Sequence, residues 1–183
     1  AFPGGGRGPA FGDGRVYATG RSILAAFDAE NGRPILTFGN GGLVNPAKVA
    51  LEFKDPGAHA PDMNPESLGY FMASSPSYAN GMVFVGLASS EGMIAGGLVV
   101  ALDGITGKVK WVFRTVPQGP GDDGWELVKD TWSGTLRQGG GVWSVPAVDP
   151  ALGMVYVNVG NPTTNYDGSQ RKGANLFTNS IVA

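Results

Sequence analysis

One short phrase occurs three times in this chain, and it limits the possible fold more than any other feature. Gly12-Asp13-Gly14-Arg15-Val16-Tyr17-Ala18, Ala79-Asn80-Gly81-Met82-Val83-Phe84-Val85 and Ala151-Leu152-Gly153-Met154-Val155-Tyr156-Val157 share it. Each sets a glycine, one intervening residue, then valine and an aromatic. Asp-Gly and Asn-Gly predict tight type I′ hairpins, whose two central residues both need positive φ. The β-branched and aromatic residues that follow predict strands. The three glycines stand 67 and 72 residues apart.

A second phrase follows the first. Ser22-Ile23-Leu24-Ala25-Ala26-Phe27-Asp28 matches Leu98-Val99-Val100-Ala101-Leu102-Asp103, and Ser180-Ile181-Val182-Ala183 begins it a third time. Asp28 and Asp103 each lead into a turn with a glycine four residues on, Gly32 and Gly107. That pattern predicts an aspartate side chain capping the turn and a left-handed glycine closing it. Phe38 and Trp111 come next, and only Trp111 has diagnostic spacing. Two hairpins per repeat at this period predict β-propeller blades with insertions, a β-sandwich being the competing architecture.

Composition supports an all-β reading. The 183 residues include 31 glycines and 13 prolines, without the triplet period of collagen and with apolar runs between them. Charged residues make up 15% and the net charge is −2, which leaves no electrostatic case for nucleic acid or an anionic membrane surface. Cysteine is absent, so disulfides and thiolate metal sites are excluded. The one histidine, His59, is expected in an exposed loop. No apolar run approaches the ~20 residues of a membrane span. The chain opens at Ala1-Phe2-Pro3 and stops inside an apolar run, so it is expected to be an internal piece of a longer protein.

Chemistry concentrates in Gly139-Gly140-Gly141-Val142-Trp143, Asp149-Pro150 and Gly160-Asn161-Pro162. Glycines permit close approach to a flat ligand, and the Trp143 indole offers either a stacking face or a core side chain. Glu91 stands ten residues after Gly81 and Asn161 eight after Gly153, so both are expected at the same end of adjacent blades. A carboxylate and an amide suit a hard cation such as Ca²⁺, although two oxygens do not complete its shell. Arg7, within Gly4-Gly5-Gly6-Arg7-Gly8, suits an anionic ligand group. Asp122 and Asp123 are expected as solvated loop carboxylates, and the long insertions that precede Phe71 and Trp143 as functional loops.

These phrases together resemble a known family. Residues 101–111, Ala-Leu-Asp-Gly-Ile-Thr-Gly-Lys-Val-Lys-Trp, are similar to the tryptophan-docking motif of quinoprotein propellers. The segments around Trp143 and Asn161 resemble the active-site region of the pyrroloquinoline-quinone (PQQ) dependent alcohol dehydrogenases, and the likeness runs from about Arg7 onward. The resemblance implies roughly three blades of an eight-bladed propeller over residues 1–183, incomplete at both ends. It implies Trp143 as the floor beneath PQQ, Arg7 at the quinone edge, and Glu91 and Asn161 as ligands to Ca²⁺, a lanthanide being the alternative metal. PQQ itself would complete the metal shell. An alcohol or sugar would be oxidised by hydride transfer to the quinone, with a cytochrome c or membrane quinone as acceptor, in the periplasm.

The sequence departs from the family at three places. The family's vicinal cysteine pair would fall near Ala1-Phe2, and neither is cysteine. Ala73 replaces a threonine that often contacts the cofactor, with Ser74 and Ser75 as neighbouring substitutes. The aspartate base falls beyond Ala183, so none of these residues is assigned it, and the chain alone is expected to be inactive. The other reading is a non-enzymatic propeller scaffold of the outer-membrane assembly lipoprotein type. It would keep the docking motif without using Glu91, Trp143 and Asn161.

Overall fold

The computed structural model describes residues 8–88, 93–133 and 137–183. Arg7 and Glu91 therefore lie outside the described residues. The first sheet is a four-stranded antiparallel meander of β1 (Ala10–Gly12), β2 (Arg15–Thr19), β3 (Leu24–Asp28) and β4 (Leu43–Val44). An insertion follows, holding helix α1 (Pro46–Lys54) and a 3₁₀ turn over Pro65–Leu68. The second sheet repeats the meander with β5 (Ser77–Ala79), β6 (Met82–Leu87), β7 (Leu98–Asp103) and β8 (Val109–Arg114). A second insertion carries the short helix α2 (Trp125–Val128) and then β9 (Gln138–Gly139). The third sheet comprises β10 (Ala147–Asp149), β11 (Met154–Val159) and β13 (Ser180–Val182). Between its last two strands, β12 (Pro162–Thr163) pairs back with β9. Successive up-and-down meanders, each the same motif, are propeller blades rather than the layers of a sandwich.

The local chemistry behaves as the sequence predicts. Asp13 and Asn80 adopt φ of 47° and 49° at the tips of the β1–β2 and β5–β6 hairpins, the signature of type I′ turns. Asp28 Oδ1 accepts from the amides of Glu30 and Asn31. Asp103 Oδ1 accepts from Ile105 and Thr106 in the same way. Gly32 and Gly107 close these turns with φ of 71° and 70°. The Thr106 amide, above all, holds the Asp103 carboxyl down at about 2, with Lys110 also within 3.1 Å.

The first strands β1, β5 and β10 lie side by side, so the blades stack face to face. A middle blade has a neighbour on each face, which explains why β6 is buried along nearly its whole length while β11 keeps exposed positions. Tyr17, fully buried, stacks on Tyr78 at 5.4 Å and donates to Gly104 O of the second blade at 2.8 Å. Burial pushes its hydroxyl up to about 12, so it remains a neutral donor. Phe38 packs beside Tyr17, and Gly39 N donates to Thr106 O. Trp111 occupies the next junction, 6.0 Å from Phe84 and against Met154 and Val155 of the third blade.

Helix α1 is absent from the sequence reading, which expected irregular loop there. Asn45 caps it by accepting from Lys48 N, and Pro46 starts it without losing a needed donor. Its buried face (Ala47, Ala50, Leu51) packs on β7 and β8. His59 sits in the loop beyond, partly rather than fully exposed, lining a groove with Leu51 and Met63.

Candidate active site

In each blade the hairpin turn marks one end of the first two strands. The start of the first strand and the finish of the second therefore meet at the opposite end. Ser74 and Ser75 precede β5, Trp143 precedes β10, and Asn161 follows β11. All four candidates come to this one end. Gly8, next to Arg7, comes there too: a Cβ on Gly8 would lie 3.6 Å from Ser75 Oγ. The flanks of Glu91 are held at the same end, since Leu87 O accepts from Val142 N at 3.1 Å and Ile94 O from Gly139 N at 3.0 Å.

The glycine run makes its close approach to other parts of the chain. Gly140 takes φ of 68° and its carbonyl accepts from the buried Thr115 hydroxyl at 2.6 Å. A Cβ on Gly97 would collide with the Gly140 carbonyl and come within 2.8 Å of Gly141 Cα. Gly140 N donates to Asn161 O at 2.7 Å, and Gly160 N donates to Gly141 O at 3.0 Å. Three segments are thus stitched by main-chain bonds: the end of β6, the glycine run, and the Gly160-Asn161 corner. The sequence reading missed Thr115, because a threonine after a strand carries no signal of the carbonyls it will meet.

Trp143 stands at the edge of this assembly. Val142 is fully buried, whereas Trp143 is 42% exposed, so its indole is not a core side chain. It is bracketed by two bonds between blades, Val142 N to Leu87 O and Ser74 Oγ to Ser144 O, the latter at 3.1 Å. Ser74 is therefore engaged with backbone, and both serines are buried. The Ser144 hydroxyl, beside Trp143, is buried and meets no hydrogen-bond partner among the described residues. The exposed flat ring offers a stacking face that fits a planar ligand.

Asp122 corrects an expectation. It is only 7% exposed and accepts from Arg114 at 3.2 Å and Gln118 N at 2.8 Å, with Lys54 also in ion-pair contact. Burial alone would raise its carboxyl, but Lys54, Gln118 and Arg114 outweigh that and hold it low. Arg114 also meets Asp55 at 2.5 Å, which ties the first insertion to the second. Asp123, in contrast, is exposed as expected.

The PQQ family described as "Glucose/ethanol/alcohol dehydrogenase, beta-propeller domain" matches residues 7–183. The chain belongs to this family. Among PQQ-dependent relatives, the dehydrogenase subunit of the alcohol dehydrogenase (quinone) of Gluconacetobacter polyoxogenes is 36% identical over 194 aligned residues, covering 97% of this chain and 24% of that protein. The solved quinohemoprotein alcohol dehydrogenase ADHIIG of Pseudomonas putida HK5 superposes with a TM-score of 0.70 at 31% identity, covering 96% of this chain and 24% of that one. A europium-containing methanol dehydrogenase superposes with a TM-score of 0.67 at 25% identity, covering 94% and 28%. The chain spans about a quarter of the length of these relatives. Family membership favours the dehydrogenase reading over the scaffold, which rested on the docking motif alone. Among the described residues no helix is long and apolar enough to cross a membrane, and no cluster of three His, Cys, Asp or Glu side chains could hold a metal.

Proposed function

We propose that this chain forms part of the active-site side of a periplasmic PQQ-dependent dehydrogenase that oxidises an alcohol or sugar and passes electrons to a cytochrome c or a membrane quinone. The observation that carries the reading is the half-exposed Trp143, held between two bonds that join neighbouring blades. Trp143 supplies the stacking face for PQQ, and Arg7 pairs with an anionic group at its edge. Ser75 is the better placed of the two serines for a cofactor contact, because the Ser74 hydroxyl is already engaged. Asn161 and Glu91 are the oxygen ligands to Ca²⁺ or a lanthanide, a donor set suited to a hard cation. When bound, the quinone is the two-electron acceptor and the cation its Lewis acid. The chain's own residues hold and orient these groups, and none of them is assigned the proton-accepting role. The main-chain bonds from Gly140 N to Asn161 O and from Val142 N to Leu87 O tie together the backbone segments that carry Trp143 and Asn161, which supports this reading.

The test is a titration of PQQ in the presence of Ca²⁺ against the apo form of a full-length dehydrogenase carrying this chain. Trp143→Ala is expected to weaken PQQ by at least about tenfold, equivalent to ~1.4 kcal/mol. Asn161→Ala is expected to raise the Ca²⁺ concentration needed for retention. Unchanged affinities in both variants would refute the assignment. The chain by itself is expected to turn over no alcohol, and measured turnover would contradict that.

A further inference from the structure

Two side chains, Thr115 and Gln118, cross from the loop after β8 to the segment that leads into Trp143, and neither is assigned to PQQ or the metal. Thr115 is fully buried. Its hydroxyl lies 2.6 Å from Gly140 O and 3.2 Å from Gly97 O. A hydroxyl has one proton to give, and the nearer acceptor takes it. Gly97 O already accepts from the Thr115 amide at 2.9 Å. Gly140 connects the hydroxyl to the candidate site. Its amide donates to Asn161 O at 2.7 Å while its carbonyl accepts from Thr115, so the two main-chain groups of one glycine join the second blade to the Asn161 corner. A Cβ at position 140 would stand 2.6 Å from Thr115 Oγ1, so glycine is what admits the hydroxyl.

The hydroxyl is presented from a fixed support. Arg114, one residue before it, is buried and pairs with Asp122 at 3.2 Å and Asp55 at 2.5 Å. Gln118 donates through Nε2 to Val116 O at 2.9 Å and to Arg137 O at 2.8 Å, so it joins the same two segments a few residues away. A β-branched side chain also has few χ1 states, which keeps Oγ1 aimed. The bonds from Gly160 N to Gly141 O and from Val142 N to Leu87 O run main chain to main chain and survive a change of side chain. The Thr115 bond depends on one hydroxyl. Its acceptor belongs to a buried glycine, so removing the donor takes away a bond that costs free energy to leave unmade.

Building on the assignment of Asn161 to the metal, we propose that Thr115 is a positioning residue for that ligand, acting through Gly140. It touches neither cofactor nor cation. By holding Gly140 O it fixes the glycine whose amide in turn fixes the main chain of Asn161. Groups that bond directly to a metal ligand are worth about ten- to hundredfold in metal affinity. Thr115 acts one residue farther out, so its expected share is smaller, about three- to tenfold.

The experiment uses a full-length dehydrogenase carrying this chain and compares Thr115→Val, of nearly the same shape, with Thr115→Ser, which keeps the hydroxyl. Without cofactor or cation, hydrogen exchange of the peptide 138–142, which holds the Gly140 amide, is expected to be at least about threefold faster in Thr115→Val. Thr115→Ser is expected to stay close to the parent. With PQQ present, a Ca²⁺ titration is expected to show about three- to tenfold weaker affinity in Thr115→Val and a change within about twofold in Thr115→Ser. Phe38→Ala, at the junction of the first two blades, controls for a general loss of stability and is expected to leave Ca²⁺ affinity unchanged. Thr115→Ala, with the same expectations, takes the place of Thr115→Val if the latter does not fold. The proposal is overturned by unchanged exchange in Thr115→Val, or by a serine variant as weak as the valine variant. Ca²⁺ affinity no weaker than the parent's in Thr115→Val, while Asn161→Ala lowers it, overturns it equally. If Asn161→Ala itself leaves Ca²⁺ binding unaltered, the metal assignment has failed and the proposal falls with it. The exchange result, obtained without cation, keeps those two failures apart.

Discussion

The two junctions between blades are built by different means. Between the first and second blades, bulky side chains fill the gap: Tyr17 and Phe38 are fully buried, Tyr78 stacks on Tyr17, and the Tyr17 hydroxyl reaches a carbonyl across the junction. Between the second and third blades, Trp111 faces a cleft of about 430 Å³ lined by Val99, Phe113, Val157 and Phe177. The glycine run adds close contact of another kind, where main chain meets main chain at Gly97, Gly140 and Gly141. The contrast separates two duties. Side-chain bulk gives stability at the first junction, while the second spends its closest packing on fixing Trp143 and Asn161.

Three measurements would break or sharpen that contrast. The largest effect is expected for Phe38→Ala, about 4 kcal/mol by urea unfolding, because a fully buried ring leaves a cavity. Trp111→Ala, at a junction already open, is expected to cost only about 2 kcal/mol despite the larger side chain. Equal losses would mean that the junctions are not differently packed. Next comes Gly97→Ala, where the added methyl meets the Gly140 carbonyl rather than a side chain that could turn aside. A loss of about 3 kcal/mol is expected, together with weaker PQQ binding by the full-length protein, since the strain falls on the stitched segments. Retained PQQ affinity would separate the site from this junction.

The smallest effect concerns acid. The Asp103 carboxyl sits at about 2 in the fold against an ordinary 3.8. A lowered value means that the stabilisation is complete above about 4 and is lost as pH falls toward about 2. Solvent screening limits it to about 1 kcal/mol. Urea midpoints at pH 7 and pH 2.5 should therefore fall less in Asp103→Asn than in the parent. An identical acid loss in both proteins would show that the capped turn contributes nothing.

How much was legible depended on the range of the interaction. The hairpins at Asp13 and Asn80 and the capped turns at Asp28 and Asp103 are written within four residues, and the structure follows them. Trp111 was legible because its docking motif is continuous. Phe38 was not, since the residue at the matching distance from Asp28 is Leu36, which is 69% exposed. After its bridge to Phe27, Pro34 breaks the strand, and the aromatic that reaches the junction arrives two residues later. Asp122 looked solvated because its neighbours in sequence are polar loop residues, whereas Lys54 and Asp55, at the end of α1, complete its ionic cluster. The corner at Asn161 was visible through the repeat. The role of the glycines before Trp143 was only half visible: glycine signals close approach, but not whether ligand or chain does the approaching.

The bracketing of Trp143 has a practical consequence. The bonds on either side of it use the Val142 amide and the Ser144 carbonyl, so neither depends on which side chain stands at position 143. The frame and its occupant are therefore separable, and this position works as a socket. Other aromatic rings, including fluorescent or electron-poor analogues, are expected to seat there without redesigning the blade, so that the exposed face can be varied one ring at a time.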